Sequence, residues 1–185
     1  MRQLAKKLTW VDDRSVAPMP HLEAWCSNRP EFIEHVAEVH CLAPDAERFV
    51  EYRKDRVKEL CISLLFGGSY GRWIEKLCDA EGRRADREPR SPRVEGLAKE
   101  LAQLRKDVFN SKEWISFVEK DRARLRAEGE KKDDDSIDRS VMARVAQKEE
   151  NRVLDAMRAS VTEQGFTCLT LCFDGLHVSA WKLQM

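Results

Sequence analysis

Apolar residues recur at helical spacing along most of this chain and change to short β-prone runs only near its C-terminus. Leu4 and Leu8 share one face of Met1–Thr9, which reads as the last turns of a helix. Pro18 and Pro20 then break the chain. A helix is expected from about His21 through Leu22 and Trp25, and Pro30 restarts one that carries Phe32, Ile33, Val36 and Ala37. Pro44-Asp45 signals the start of a longer helix, about Asp45 to Phe66, whose stripe is Phe49, Val50, Val57, Leu60, Cys61, Leu64 and Leu65. Gly67-Gly68 ends it, because glycine enters the left-handed backbone region at little cost. Trp73, Ile74 and Leu77 predict a shorter helix from Tyr70 to Ala80.

From Glu81 to Arg93 the sequence is polar, rich in arginine and interrupted by Pro89 and Pro92, so a loop is expected. Leu97, Leu101, Leu104 and Val108 mark the next helix. Ser111 is expected to cap another, burying Trp114, Ile115, Phe117 and Val118. Residues 128–138 read as a second charged connection. Ser140 to Gln164 then predicts a helix with Met142, Val145, Ala146, Val153, Leu154, Met157 and Val161 on its inner stripe, stopped by Gly165. Two β-prone runs, Phe166–Phe173 and Leu176–Leu183, flank Asp174-Gly175, a strong hairpin signal. The fold class is therefore α+β, mostly helical with one small C-terminal antiparallel β-hairpin. A helical region over about 20–135 precedes a helix and hairpin over about 136–185.

With 185 residues the chain has room for one domain or part of a larger one. Charged residues form 36% of it, which predicts broad solvated helix faces, and its 33 basic and 33 acidic residues balance. That balance excludes a uniformly basic coat and leaves local basic patches as the only electrostatic route to nucleic acid. No run reaches the roughly 18 apolar residues of a membrane span, and the N-terminus lacks the order of a signal peptide, so an intracellular protein with no membrane partner is expected. Cys26, Cys41, Cys61, Cys78, Cys168 and Cys172 show no zinc spacing and read as free, mostly buried thiols.

Two features could carry chemistry. Lys54 and Lys58 lie four residues apart on one helical face with Arg53 close by, and the helix ends at Phe66-Gly67. Such a face can neutralise a triphosphate while the aromatic packs on base or sugar. Interleaved Glu51, Asp55 and Glu59 equally suit a plain salt-bridged surface. Asp174 sits at the rim of the hairpin, where it is either a turn residue or a metal ligand. His177 beside it reads as a packed or solvent-facing strand residue, and the Arg83–Arg93 loop as a solvated linker that could also touch nucleic-acid phosphates.

Together these pieces resemble family A DNA polymerases of divergent, viral or mobile-element type. Lys54-x3-Lys58-x7-Phe66-Gly67 resembles the family's fingers-helix motif, with lysine in place of the first arginine. Gly165-x8-Asp174 followed by Leu176 and Val178 resembles its palm hairpin, with Phe173-Asp174-Gly175 where the family has His-Asp-Glu. The resemblance runs from about Pro20 to Val178 and implies a fingers and partial palm fragment that transfers a nucleotide from dNTP to a primer 3′-hydroxyl. It implies that Lys54, Lys58, Phe66 and Gly67 bind the nucleotide and that Gln147 contacts the DNA primer-template. It also implies that Asp174 ligates Mg²⁺. The family's chemistry takes two carboxylates. The first is expected on a strand before Met1, with Met1–Leu8 the remnant of the following helix, since Val11-Asp12-Asp13-Arg14-Ser15 leads into Val16-Ala17-Pro18 instead of a helix. The alternatives are a non-catalytic helical module that binds nucleic acid or a protein, and a helical adaptor pairing residues 95–130 with another chain.

Overall fold

The computed structural model describes residues 18–42, 50–128, 133–172 and 175–182, with side chains described as far as Thr167. Among the described residues there are seven α-helices, one 3₁₀ turn and one two-stranded antiparallel sheet, so the chain is mostly helical with one small C-terminal hairpin. It divides into two compact units, Met1–Met142 and Ala143–Met185. None of the described helices is long and apolar enough to cross a membrane.

In the first unit, α1 (Pro20–Ser27) and α2 (Arg29–Val39) each begin with a proline in the first turn, where the missing N–H costs nothing. The α2 start is capped by the Asn28 side chain. The α1 start is capped from elsewhere: Glu100 accepts hydrogen bonds from the backbone N–H groups of His21 (3.1 Å) and Leu22 (2.7 Å). Helix α3 (Val50–Leu65) buries Val57, Leu60, Cys61 and Leu64. It closes in a Schellman motif: Gly67, at φ +88°, donates its N–H to Leu64 and Gly68 donates to Ser63. Ser69 then caps α4 (Tyr70–Glu81), which ends on Gly82 in the left-handed region.

A 3₁₀ turn (Ala85–Arg87) leads to α5 (Pro92–Asn110), capped by Ser91 and packed against α1, α3, α4 and α6. Its stripe Val94, Leu97, Leu101, Leu104 and Val108 is fully buried, each such side chain contributing on the order of 1.5–3 kcal/mol. Helix α6 (Ile115–Ala127) follows. Asp134 opens α7 (Asp134–Glu163), whose Ile137, Val141 and Met142 complete the core of this unit. Arg122 joins α6 to α7 by a bidentate pair with Asp138 (2.7 and 2.9 Å) while lying over the Phe109 ring.

The second unit holds the rest of α7 and the hairpin. Gly165, at φ +80°, turns the chain into β1 (Phe166–Cys172), which pairs with β2 (Gly175–Lys182). Two irregularities interrupt the register, between Phe166 and Cys168 and between Cys168 and Thr170.

Several local expectations change. Ser111 does not cap α6; its hydroxyl donates to the Val108 carbonyl and finishes α5, because the chain turns through Ser111–Trp114 before helical geometry resumes. Ile115 is consequently exposed and Phe117 only half-buried, and the inner stripe of α6 runs Trp114, Val118, Asp121, Leu125. Residues 134–138 are helical, since Ile137 is a core residue that the surrounding charges conceal. On α7 the apolar stripe fades after Val145: Val153, Leu154 and Val161 are half-buried and Met157 is exposed. Gly175 is the first residue of β2, paired with Cys172, and not a turn residue. Of the described cysteines, Cys61 and Cys78 are buried, Cys26 is intermediate and Cys41 is exposed.

Candidate functional site

The fingers-like residues occupy one solvent-facing row of α3. Lys54, Lys58, Ile62 and Phe66 are successive fourth residues, so they climb the helix in a slowly turning line about 18 Å long. Lys54 and Lys58 are exposed, Ile62 is exposed despite being apolar, and Phe66 is half-buried at the top. The row lies opposite Leu60 and Leu64, so the packing that fixes α3 leaves it facing water. Lys54 pairs with Glu51 at 3.2 Å. Lys58 has no ion pair among the described residues. Arg53 does not join them: its guanidinium turns inward to the Leu42 carbonyl (3.0 Å) and Glu34 (3.6 Å).

Gly67 directly follows Phe66, and a Cβ placed there would lie 2.2 Å from Nη1 of Arg105 on α5. The helix end is thus roofed by a guanidinium. Gln147 stands exposed on α7 in the second unit, its amide donating to Glu150 (3.2 Å) and Asn151 (3.4 Å). Asp174 lies outside the described residues, as do Asp12, Asp13 and residues 43–49; of the His177 side chain nothing is described. Among the described residues no three His, Cys, Asp or Glu side chains form a metal-binding group.

Two arrangements escape a reading of the sequence. The first is a buried polar network. His40, fully buried, lies 2.6 Å through Nε2 from the Tyr70 hydroxyl and 3.1 Å through Nδ1 from Glu88. Since the Tyr70 oxygen accepts the Ser91 N–H at 3.1 Å, its own proton points to Nε2, and Nδ1 carries the proton donated to Glu88. Burial lowers the His40 pKa, opposed by the hydrogen bond to Glu88. The imidazole is neutral at pH 7. Arg83 donates to both Glu88 oxygens (2.8 and 3.0 Å) and pairs with Glu81. His35 meets the Ser91 hydroxyl at 2.8 Å.

The arginine-rich loop is thereby anchored through Arg83 and Glu88, while most of its residues stay exposed as expected of a solvated linker. Besides Arg83, Arg84 pairs with Asp86, Arg90 with Glu95 and Arg93 with Glu31. Its cations are largely answered by nearby carboxylates. The Cys61 thiol, raised by burial to about 12, is chemically inert at neutral pH. Within the polar network His40 and Tyr70 are buried, while His35, Arg83 and Glu88 are half-buried.

The second arrangement is a cleft of about 240 Å³ between the end of α3, the start of α4 and the start of α7. Arg72, Lys76 and Arg139 lie on its walls, with Ser63 and Glu59 from α3 and the edge of Trp73 at its floor. The signal in sequence is faint: two cations four apart on α4, and a third far along the chain on α7. Comparison with protein-family models, curated proteins and solved structures finds no match.

Proposed function

We propose that this chain is the fingers and partial palm portion of a template-directed DNA polymerase resembling family A, acting on a primer-template with dNTP. The row Lys54, Lys58, Ile62, Phe66 carries the reading. It sets two flexible cations about 12 and 18 Å along one helix from a half-exposed aromatic, a span that suits a triphosphate at one end and base or sugar at the other. Lys58 is the principal phosphate ligand, having no competing ion pair among the described residues; Lys54 joins by leaving Glu51, an exposed pair whose loss costs under about 1 kcal/mol. Phe66 packs on the nucleotide, and the Gly67 turn under Arg105 fixes the helix end. Gln147, exposed on α7, contacts the primer-template.

Asp174 is the residue assigned to Mg²⁺, which would neutralise charge on the transferring phosphoryl group and lower the pKa of the attacking hydroxyl. What the described residues contribute is positioning and charge neutralisation, which supply most of the rate in phosphoryl-type transfer. A non-catalytic helical module that binds nucleic acid or a protein is the second reading, favoured by the pairing of Lys54 with Glu51, which leaves that cation less available to a triphosphate.

Primer extension with Mg²⁺ by the protein expressed from its full reading frame decides between them. Asp174→Asn should abolish extension, and Lys58→Ala should raise the KM for dNTP at least about tenfold, the loss of one charge-assisted contact. Extension that is unchanged in Asp174→Asn, or absent from the full-length protein, overturns the catalytic reading.

A further inference from the structure

We infer that the cleft between α3, α4 and the first turn of α7 binds the phosphodiester backbone of a single nucleic-acid strand without reading its sequence, independently of any catalysis. Three cations from two helices converge there. Arg72 and Lys76 stand one turn apart on α4 and are exposed, while Arg139 approaches from α7, its guanidinium donating to Ser136 Oγ at 2.7 Å. Both arginines also act on Asp133, whose carboxyl is held below its ordinary value by the Ser136 backbone N–H first and by Arg139 and Arg72 in smaller part.

Charge accounting leaves the cleft positive. The lining carboxylate, Glu59, is already paired with Arg56 at 3.0 Å. Asp133 keeps its negative charge while accepting the Ser136 N–H at 2.6 Å, so it offsets one of the three lining cations and the balance stays positive. Lys76 has no carboxylate partner among the described residues. The walls also hold Ser63 and Ser69, two hydroxyls able to hydrogen-bond phosphate oxygens.

Base recognition is excluded by the floor. Trp73 is the only aromatic on the lining. It is 4% exposed, its indole N–H donates to the Arg56 carbonyl at 3.2 Å, and its ring meets His40 edge to face at 5.2 Å. Among the described lining residues no aromatic face is left for a base to stack on, and the directional groups the cleft offers are its three cations and two hydroxyls. An acidic protein segment is the rival occupant; the compact phosphate, held by two guanidiniums and two hydroxyls, fits a cleft of this volume better than carboxylates on flexible stems.

Fluorescence anisotropy of an end-labelled single-stranded oligonucleotide of mixed sequence, titrated with the full chain between about 50 and 200 mM salt, tests this. Each phosphate neutralised on a single strand adds about −0.7 to the log–log salt slope, so the three lining cations give at most about −2 from this cleft. R72Q/K76Q/R139Q should weaken binding at least about tenfold at low salt and flatten the slope by up to about 2 for every sequence tried, whereas K106Q/K120Q, exposed and off the cleft lining, should leave that component unchanged. Should the triple variant fail to fold, judged by circular dichroism, Lys76→Gln at its exposed helical position is read for about one third of the slope change. Affinity and slope unchanged in these variants, no binding by the wild-type chain, or equal competition by polyglutamate of matched charge would each overturn the proposal.

Discussion

The hydroxyl of Tyr70 and Nε2 of His40 lie 2.6 Å apart in the core of the helical unit, one on the first turn of α4 and the other just past α2. That contact closes a chain of polar groups running from Ser91 through Tyr70 and His40 to Glu88 and Arg83. Tyr70→Phe keeps the ring but leaves Nε2 and the Ser91 N–H without their partner. Urea unfolding should show a loss of about 1–3 kcal/mol with an unchanged m-value.

The same network makes stability pH-dependent. His40 has a pKa lowered in the folded state by burial, so the unfolded chain binds a proton more readily. Its ordinary value is 6.5, and stability should therefore be full above that pH and fall as pH drops below it until the lowered folded pKa is reached, with a slope of at most about 1.4 kcal/mol per pH unit. The charged groups facing it are Glu88 and Arg83. Urea midpoints between about pH 8 and 5 should decline in wild type and decline less in His40→Gln, whatever the latter's absolute stability.

Gly68 and Gly82 should respond differently to alanine. A Cβ at Gly68 would lie 2.0 Å from Ser63 Oγ and 2.8 Å from the Ser63 carbonyl oxygen, and the latter, as main chain of α3, cannot step aside. At Gly82 the φ is +65° but nothing lies within 4 Å, leaving only the left-handed backbone cost of about 1 kcal/mol. Thermal melts should rank Gly68→Ala below Gly82→Ala; the reverse order would mean that the α3 end relaxes freely.

Glu100 caps α1 across the fold, accepting from His21 and Leu22. Glu100→Ala should cost about 1–2 kcal/mol and Glu100→Gln about half of that, since one amide oxygen still accepts. Amide exchange at His21 and Leu22 is the direct readout, and protection there that survives Glu100→Ala would refute the cap.

Most helices were legible because their stripes repeat with the helical period and because glycine and proline mark their ends. Leu97, Leu101, Leu104 and Val108 place α5, and Gly67-Gly68 and Gly165 stop α3 and α7. Local signals misled where two elements compete for one residue. Ser111 has the chemistry of an N-cap, yet the Val108 carbonyl of the preceding helix takes its hydroxyl. Ile137 stands among aspartates and reads as solvated, but the apolar face it meets belongs to residues distant in sequence.

The candidate nucleotide row was also legible, since fourth residues on a helix share a face whatever surrounds it. What the sequence by itself determined is therefore periodic and local: the helices, the glycines that stop them, the hairpin, and the alignment of Lys54 and Lys58 with Phe66. Tertiary structure decided which polar groups leave water. It sent Arg53 inward and Lys58 outward from one helix, buried His40 with Glu88, and brought Arg139 to Arg72. Those outcomes depend on burial and on partners far along the chain, and no spacing within a single element encodes them.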